Sequence, residues 1–182
     1  MDALLTALLG CFLAEIGDKN QLLVLALAAR FGRDGAMIAG IFIAAAANAA
    51  IAAAAGAFLA PMLGSDARLL FLALALLFLG IGLLWPVKPP DPLVGWPTGP
   101  LLTSALGLFI LGFGDGSQFL ILGIATRTAD PILAGIGGAL VPAVLLRERL
   151  LRVVPVRAIR YGGAAVTLIL AAALAISALQ LA

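Results

Sequence analysis

One short stretch constrains this chain more than any other. Glu15-Ile16-Gly17-Asp18-Lys19-Asn20-Gln21 lies inside an apolar run spanning 3–29. Three ionisable side chains and two amides sit where a bilayer-crossing helix normally carries none. A charged side chain at the bilayer centre costs roughly 2.5–3.5 kcal/mol on insertion scales. A cluster of that cost points to a working site that faces the protein interior or a water-filled path. An inert apolar anchor would not retain it.

The surrounding sequence sets the class. Of 182 residues, 64% are hydrophobic and 11% charged, against about 25% charged in a typical soluble domain. Mean hydropathy is +1.20. There are too few polar side chains to cover a soluble surface, so the expectation is an all-α integral membrane protein. The net charge of +2 argues against nucleic-acid binding. No histidine is present, which removes the usual proton carrier and the commonest transition-metal ligand. Cys11 is the single cysteine, so neither an intrachain disulfide nor a cysteine-cluster metal site can form. The first apolar run does not read as a cleavable signal peptide, having no basic start and being interrupted by acids.

Runs of about 20 apolar residues mark candidate spans. They fall at 3–29, 36–59, 69–84, 101–125, 131–146 or somewhat beyond, and 159–181. The segment 87–100 holds five prolines and reads as a loop. Pro142 is expected to kink the fifth span, whose end is blurred by Arg147-Glu148-Arg149, and Pro155 to act as a stop. Sliding the chain by 97 positions brings Thr6 onto Thr103, Gly10 onto Gly107, Phe12 onto Phe109, Gly17-Asp18 onto Gly114-Asp115, Gln21 onto Gln118, Arg30 onto Arg127 and Gly40 onto Gly137. Leucine matches mean little in such a chain, but Gly, Asp, Gln and Arg in one register do not. Two three-span halves are therefore expected, 1–86 and 101–182, joined by the linker 87–100. Three is odd, so the halves enter the membrane from opposite sides and are related by a pseudo-two-fold axis in its plane. The Gly17-Asp18 and Gly114-Asp115 stretches should then meet near the midplane.

Arg68 and Arg127 fall on one side of such an arrangement. Arg30, Arg33, Lys88, Arg147, Arg149, Arg152, Arg157 and Arg160 fall on the other. The positive-inside rule puts the second set in the cytoplasm and both termini outside, in a multi-pass protein of the cell inner membrane. The basic stretch 147–160 reads as a topology signal at the level of lipid head groups, and Arg30 and Arg127 as interface anchors.

On an unbroken helix Glu15, Asp18, Lys19 and Gln21 share a broad face and Asn20 points away; a break at Gly17 would change this. Glu15 and Lys19 have the i, i+4 spacing of an ion pair, with Lys19 as counter-ion. Asp115 and Gln118 share a face of the fourth span, with Ser117 nearby. The expected ligand set is Glu15, Asp18 and Asp115 with neutral oxygens from Gln21 and Gln118, and with Ser117 and Asn20 as further candidates. Its formal charge is −2 with Lys19 counted, which suits a hard divalent cation such as Ca²⁺, Mn²⁺ or Mg²⁺. Carboxylates in a low-dielectric site favour their neutral form and can hold protons once the cation leaves. Asn48 reads first as interhelical hydrogen-bonding glue, with a cation-ligand role as the alternative, and Cys11 as a small buried apolar residue.

The Glu-x-Gly-Asp-Lys stretch, echoed in the fourth span, resembles the cation/proton antiporter family that includes Golgi and chloroplast manganese/calcium transporters and bacterial manganese exporters. The resemblance covers nearly the whole chain. It implies two inverted three-helix repeats and export of Mn²⁺ or Ca²⁺ against protons, with Glu15 and Asp18 as cation ligands. The expected partners are the divalent ion and the lipid bilayer; a homodimer is compatible with the sequence, and no resident cofactor is implied. The family pattern continues with Thr or Ser where this chain has Asn20. Its second copy, Gly112-Phe113-Gly114-Asp115-Gly116-Ser117-Gln118, carries Gly112 in the acidic position and Gly116 in the basic one. An acid and a base are lost together, so the formal charge is unchanged. Two rival readings are an exporter of a small organic cation or amino acid on a similar fold, and a non-transporting family member acting as an assembly or regulatory subunit. No nucleophile–base pair or cofactor motif suggests an enzyme.

Overall fold

The computed structural model describes residues 2–32, 34–128, 130–142 and 155–179. The regular structure among them is helical: α1 Asp2–Glu15, α2 Lys19–Phe31, α3 Gly35–Leu59, a 3₁₀ turn Ala60–Met62, α4 Ser65–Leu84, α5 Pro100–Gly112, α6 Gly116–Thr128, α7 Pro131–Ala139 and α8 Val156–Ala178. Arg33, Arg147, Glu148, Arg149 and Arg152, with the far end of the fifth candidate span, lie outside the described residues.

Local chemistry sets most of these boundaries. Asp34 caps α3 by accepting from the backbone N–H of Ala36. α4 stops at Trp85, whose successor Pro86 disfavours a helical residue before it. Pro100 and Pro131 open α5 and α7 at a position where the missing N–H costs nothing.

Two expected spans are each split. The run 3–29 becomes α1 and α2, interrupted at 16–18; the run 101–125 becomes α5 and α6, interrupted at 113–115 and bent by 69°. Among the described residues, α3 with its 3₁₀ turn, α4 and α8 are long and apolar enough to cross a bilayer alone, and the bent α5–α6 pair makes a fourth candidate. Many large apolar side chains face outward, among them Leu9, Phe58, Phe78, Ile110 and Ile169. The protein is an integral membrane protein whose outer surface suits lipid.

Inside, small residues let helices approach closely. α1 buries Ala3, Ala7, Cys11 and Ala14 on one stripe, and packs on α7 and α6. α3 lies across α5, α6 and α7, while α4 runs along α8. The contacts repeat under the 97-residue shift. Gly40 of α3 abuts Leu101, Ser104 and Ala105 of α5, and Gly137 of α7 abuts Leu4, Ala7 and Leu8 of α1. Gly10 meets Leu120, and Gly107 meets Leu23. Each member of one pair is the repeat counterpart of a member of the other.

A methyl group at Gly40 would collide with the α5 backbone and the Ser104 hydroxyl. Gly40→Ala should destabilise the protein by roughly 1–3 kcal/mol, read as a lower melting temperature in detergent. Gly162→Ala adds a methyl where no atom of the described residues lies within 4 Å. It should leave the melting temperature unchanged or slightly raised.

Candidate functional site

The site is built on the two helix breaks, and the same hydrogen bonds build both. Gly17 and Gly114 adopt φ of 69° and 75°, the left-handed region that suits glycine. The N–H of Gly17 donates to Oε1 of Gln21 at 2.7 Å, and the N–H of Gly114 donates to Oε1 of Gln118 at 2.5 Å. The N–H of Asp18 donates to the Glu15 carbonyl, and the N–H of Asp115 to the Gly112 carbonyl. An unsatisfied backbone group in an apolar layer costs several kcal/mol, so the glutamines make the breaks tolerable. Both glutamines are buried, Gln21 at 3% exposure and Gln118 at 9%. Their oxygens, expected to face a cation, are given to the backbone; Gln118 also donates its Nε2 to the Asn48 carbonyl at 3.2 Å.

Glu15 of the first half and Asp115 of the second meet across the breaks. The Ser117 hydroxyl lies 2.7 Å from Glu15 Oε1 and 2.8 Å from Asp115 Oδ1. Asn20 Nδ2 donates to Asp115 Oδ2 at 2.6 Å and to Glu15 Oε1 at 3.3 Å. Asn20 and Ser117 are counterparts in the internal repeat, so one neutral side chain from each half bridges the two acids. The expectation that Asn20 points away assumes an unbroken helix; the interruption at 16–18 turns it into the site. The same interruption removes the i, i+4 geometry between Glu15 and Lys19. Ser117 and Asn20 take the place of Lys19 at the Glu15 carboxylate.

Two cavities meet at this acid pair. The first, about 90 Å³, is lined by Glu15, Asp115, Ser117 and the amides of Asn20, Gln21, Asn48 and Gln118. The second, about 160 Å³, is lined by Glu15, Asp115 and Ser117 together with Asp18, Lys19 and Arg160. The three predicted carboxylates therefore share a cavity wall without forming one group. Among the described residues, no set of three or more His, Cys, Asp and Glu is placed to hold a metal ion. Any cation bound here needs neutral oxygens beside the acid pair. Asp115 is also tied down locally, accepting from the N–H of Gln118 at 3.0 Å, whereas Asp18 makes no side-chain cap at α2.

Arg160 differs from its expected place among head-group arginines. It is 9% exposed, and donates to the carbonyls of Gly17 at 3.2 Å, Gly82 at 3.2 Å and Trp85 at 3.1 Å. It thus ties the first break to the end of α4 from the first turns of α8. Arg30 likewise is more than an interface anchor: it donates to the carbonyls of Leu93 and Trp96, holding down the linker. Asn48 does act between helices, its Nδ2 donating to the Phe109 carbonyl at 3.3 Å.

Residues 3–90 match the family described as divalent cation/proton antiporter GDT1. A protein of Vibrio cholerae serotype O1, named "Putative manganese exporter", is 34% identical over 170 residues, covering 90% of this chain and 85% of that protein. No solved structure matches the chain.

Gln21→Met and Gln118→Met keep side-chain size but strand the glycine N–H of each break. Each should lower stability by roughly 1–3 kcal/mol, measured by thermal unfolding in detergent. The paired substitution should cost more than either alone.

Proposed function

The chain belongs to the GDT1 divalent cation/proton antiporter family, a family of transporters and not of enzymes, and we propose that it exports Mn²⁺ or Ca²⁺ across the cell inner membrane in exchange for protons. The observation that carries this reading is the pairing of Glu15 with Asp115. Two acids from different repeats are held together at two helix breaks, and two cavities share them as a wall. In this reading Glu15, Asp115 and Ser117 hold the cation, and Asp18 serves the path through the second cavity. Lys19 and Arg160 supply counter-charge there. Gln21 and Gln118 shape the breaks.

Two features support the ion and the exchange. Apart from Cys11, whose Sγ donates to the Ser117 carbonyl, the acidic and neutral polar side chains of the first cavity carry oxygen, which favours a hard divalent cation over a soft one, and the Vibrio relative's name points to manganese. A hydroxyl carries one proton, yet Ser117 lies within hydrogen-bond distance of two carboxyl groups. For both contacts to be hydrogen bonds, one carboxyl must supply the second proton. The acid pair is thus suited to hold a proton that a divalent cation would displace.

The halves 1–86 and 101–182, joined by the linker 87–100, act in this proposal as inverted three-span repeats that rock against each other. The reciprocal glycine contacts support that relation, and the positive-inside rule supports an orientation with Lys88 in the cytoplasm and both termini outside. The Gly112 replacement, which favours a non-transporting role when taken alone, is offset by Asn20 and Asn48. Their Nδ2 atoms lie 3.5 and 3.0 Å from where a Cβ at Gly112 would stand.

Purified protein in vesicles carrying a Mn²⁺ reporter and a pH dye should show Mn²⁺ flux coupled to opposite proton flux. Glu15→Gln and Asp115→Asn should each abolish it, and Asp18→Asn should slow it. Folded protein that moves no divalent ion would exclude the proposal. Cysteine at position 88 in a Cys11→Ala background should react with an impermeant label only from the cytoplasmic side.

A further inference from the structure

We propose that Asn20 and Asn48 supply neutral oxygen ligands to the transported cation, Asn20 by turning its amide through half a rotation. This rests on the transport reading above and adds residues and a motion to it. The Oδ1 atoms of Asn20 and Asn48 are buried and have no hydrogen-bond partner among the described residues. Their neighbours fix which end of each amide is oxygen. Asn20 Nδ2 faces Asp115 Oδ2 and Glu15 Oε1, and Asn48 Nδ2 faces the Phe109 carbonyl. Buried amide oxygens without a donor are costly and uncommon, and both residues line the smaller cavity beside the acid pair.

The repeat explains why two amides are there. Gly112 is the counterpart of Glu15, so the second half brings no carboxylate at this place. A Cβ at Gly112 would meet Asn48 Nδ2 at 3.0 Å, Asn20 Nδ2 at 3.5 Å and Asp115 Oδ2 at 3.6 Å. The asparagine amides fill the room that side chain would need. The pocket holds two acids and two amides where a symmetric pair of acids would otherwise stand.

A cation seated between Glu15 and Asp115 requires lone pairs from its neighbours, and Asn20 presents N–H hydrogens to that spot. Turning its amide about χ2 exchanges the two ends. Among the described residues no hydrogen bond to Oδ1 opposes the turn, and the lost N–H contacts are replaced by carbonyl–cation attraction. The Ser117 hydroxyl makes the same exchange by rotating its single hydrogen. Glu15, Asp115, Ser117, Asn20 and Asn48 then offer five oxygen-bearing side chains, and hard divalent cations take about 6–8 oxygen ligands, water included. Neutral amides complete the shell while the two carboxylates match the charge of the ion.

The test is Mn²⁺ binding by the purified full chain in detergent, followed by the electron paramagnetic resonance signal of free Mn²⁺, with melting temperature recorded for each variant. Asn20→Ala and Asn48→Ala should weaken Mn²⁺ binding by roughly tenfold or more. Asn20→Asp keeps the Oδ1 oxygen and replaces the N–H donor by a second oxygen, so it should bind Mn²⁺ as tightly as the wild type or more tightly. Asn20→Asp is informative even where Asn20→Ala does not fold. Wild-type affinity in both alanine variants, or Asn20→Asp binding far more weakly than the wild type, overturns the ligand role and leaves the transport reading standing. A wild-type chain that binds no Mn²⁺ and no Ca²⁺ overturns both.

Discussion

A helix interrupted inside an apolar layer strands backbone groups that the layer itself cannot satisfy, and the rest of this structure depends on how that is resolved. Each break has a glycine in the left-handed region and a buried glutamine four residues on that accepts the glycine N–H. The solution is local and is used twice. Once made, it opens the chain where four separate side chains can turn inward: Glu15 and Asn20 at one break, Asp115 and Ser117 at the other. An unbroken helix would have spread them round its circumference.

The two halves share a frame and differ in charge. Backbone hydrogen bonds, glycine contacts and capping glutamines all repeat under one shift. The charged residues repeat only in part: Asp18 is answered by Asp115, but Glu15 by Gly112 and Lys19 by Gly116. Asp115 is held by a backbone N–H, Ser117 and Asn20, while Asp18 faces the second cavity with Lys19 and Arg160. A symmetric frame carrying asymmetric chemistry gives the cavities different characters, one walled by amides and the other containing two cationic side chains. For a divalent cation these are unlike approaches to one acid pair.

Arg160 and Arg30 show how charged residues in an apolar fold can work through backbone carbonyls. Arg160 spends its donors on three carbonyls from α4 and the first break. That fixes the break relative to α8 and places a positive charge beside Asp18. Arg30 secures the proline-rich linker through Leu93 and Trp96. In sequence both resemble the arginines that mark a cytoplasmic face, and nothing local separates the two uses.

The sequence by itself determined the membrane class, the proline-rich linker, the repeat and the two acidic stretches. Those follow from composition and from rare residues recurring in one register, which need no knowledge of the fold. Only the tertiary structure decided which side chains converge. Asn20 enters the site because the interruption at 16–18 resets the helical phase, and phase cannot be read across a break. Gln21 and Gln118 turn their oxygens to the backbone because the stranded glycine N–H groups appear only once the helices have parted. Arg160 reaches the first break from 143 positions away, and Asp18 and Asp115 take unlike surroundings through packing against α4 and α8. These are distances between parts of the chain that no local pattern encodes.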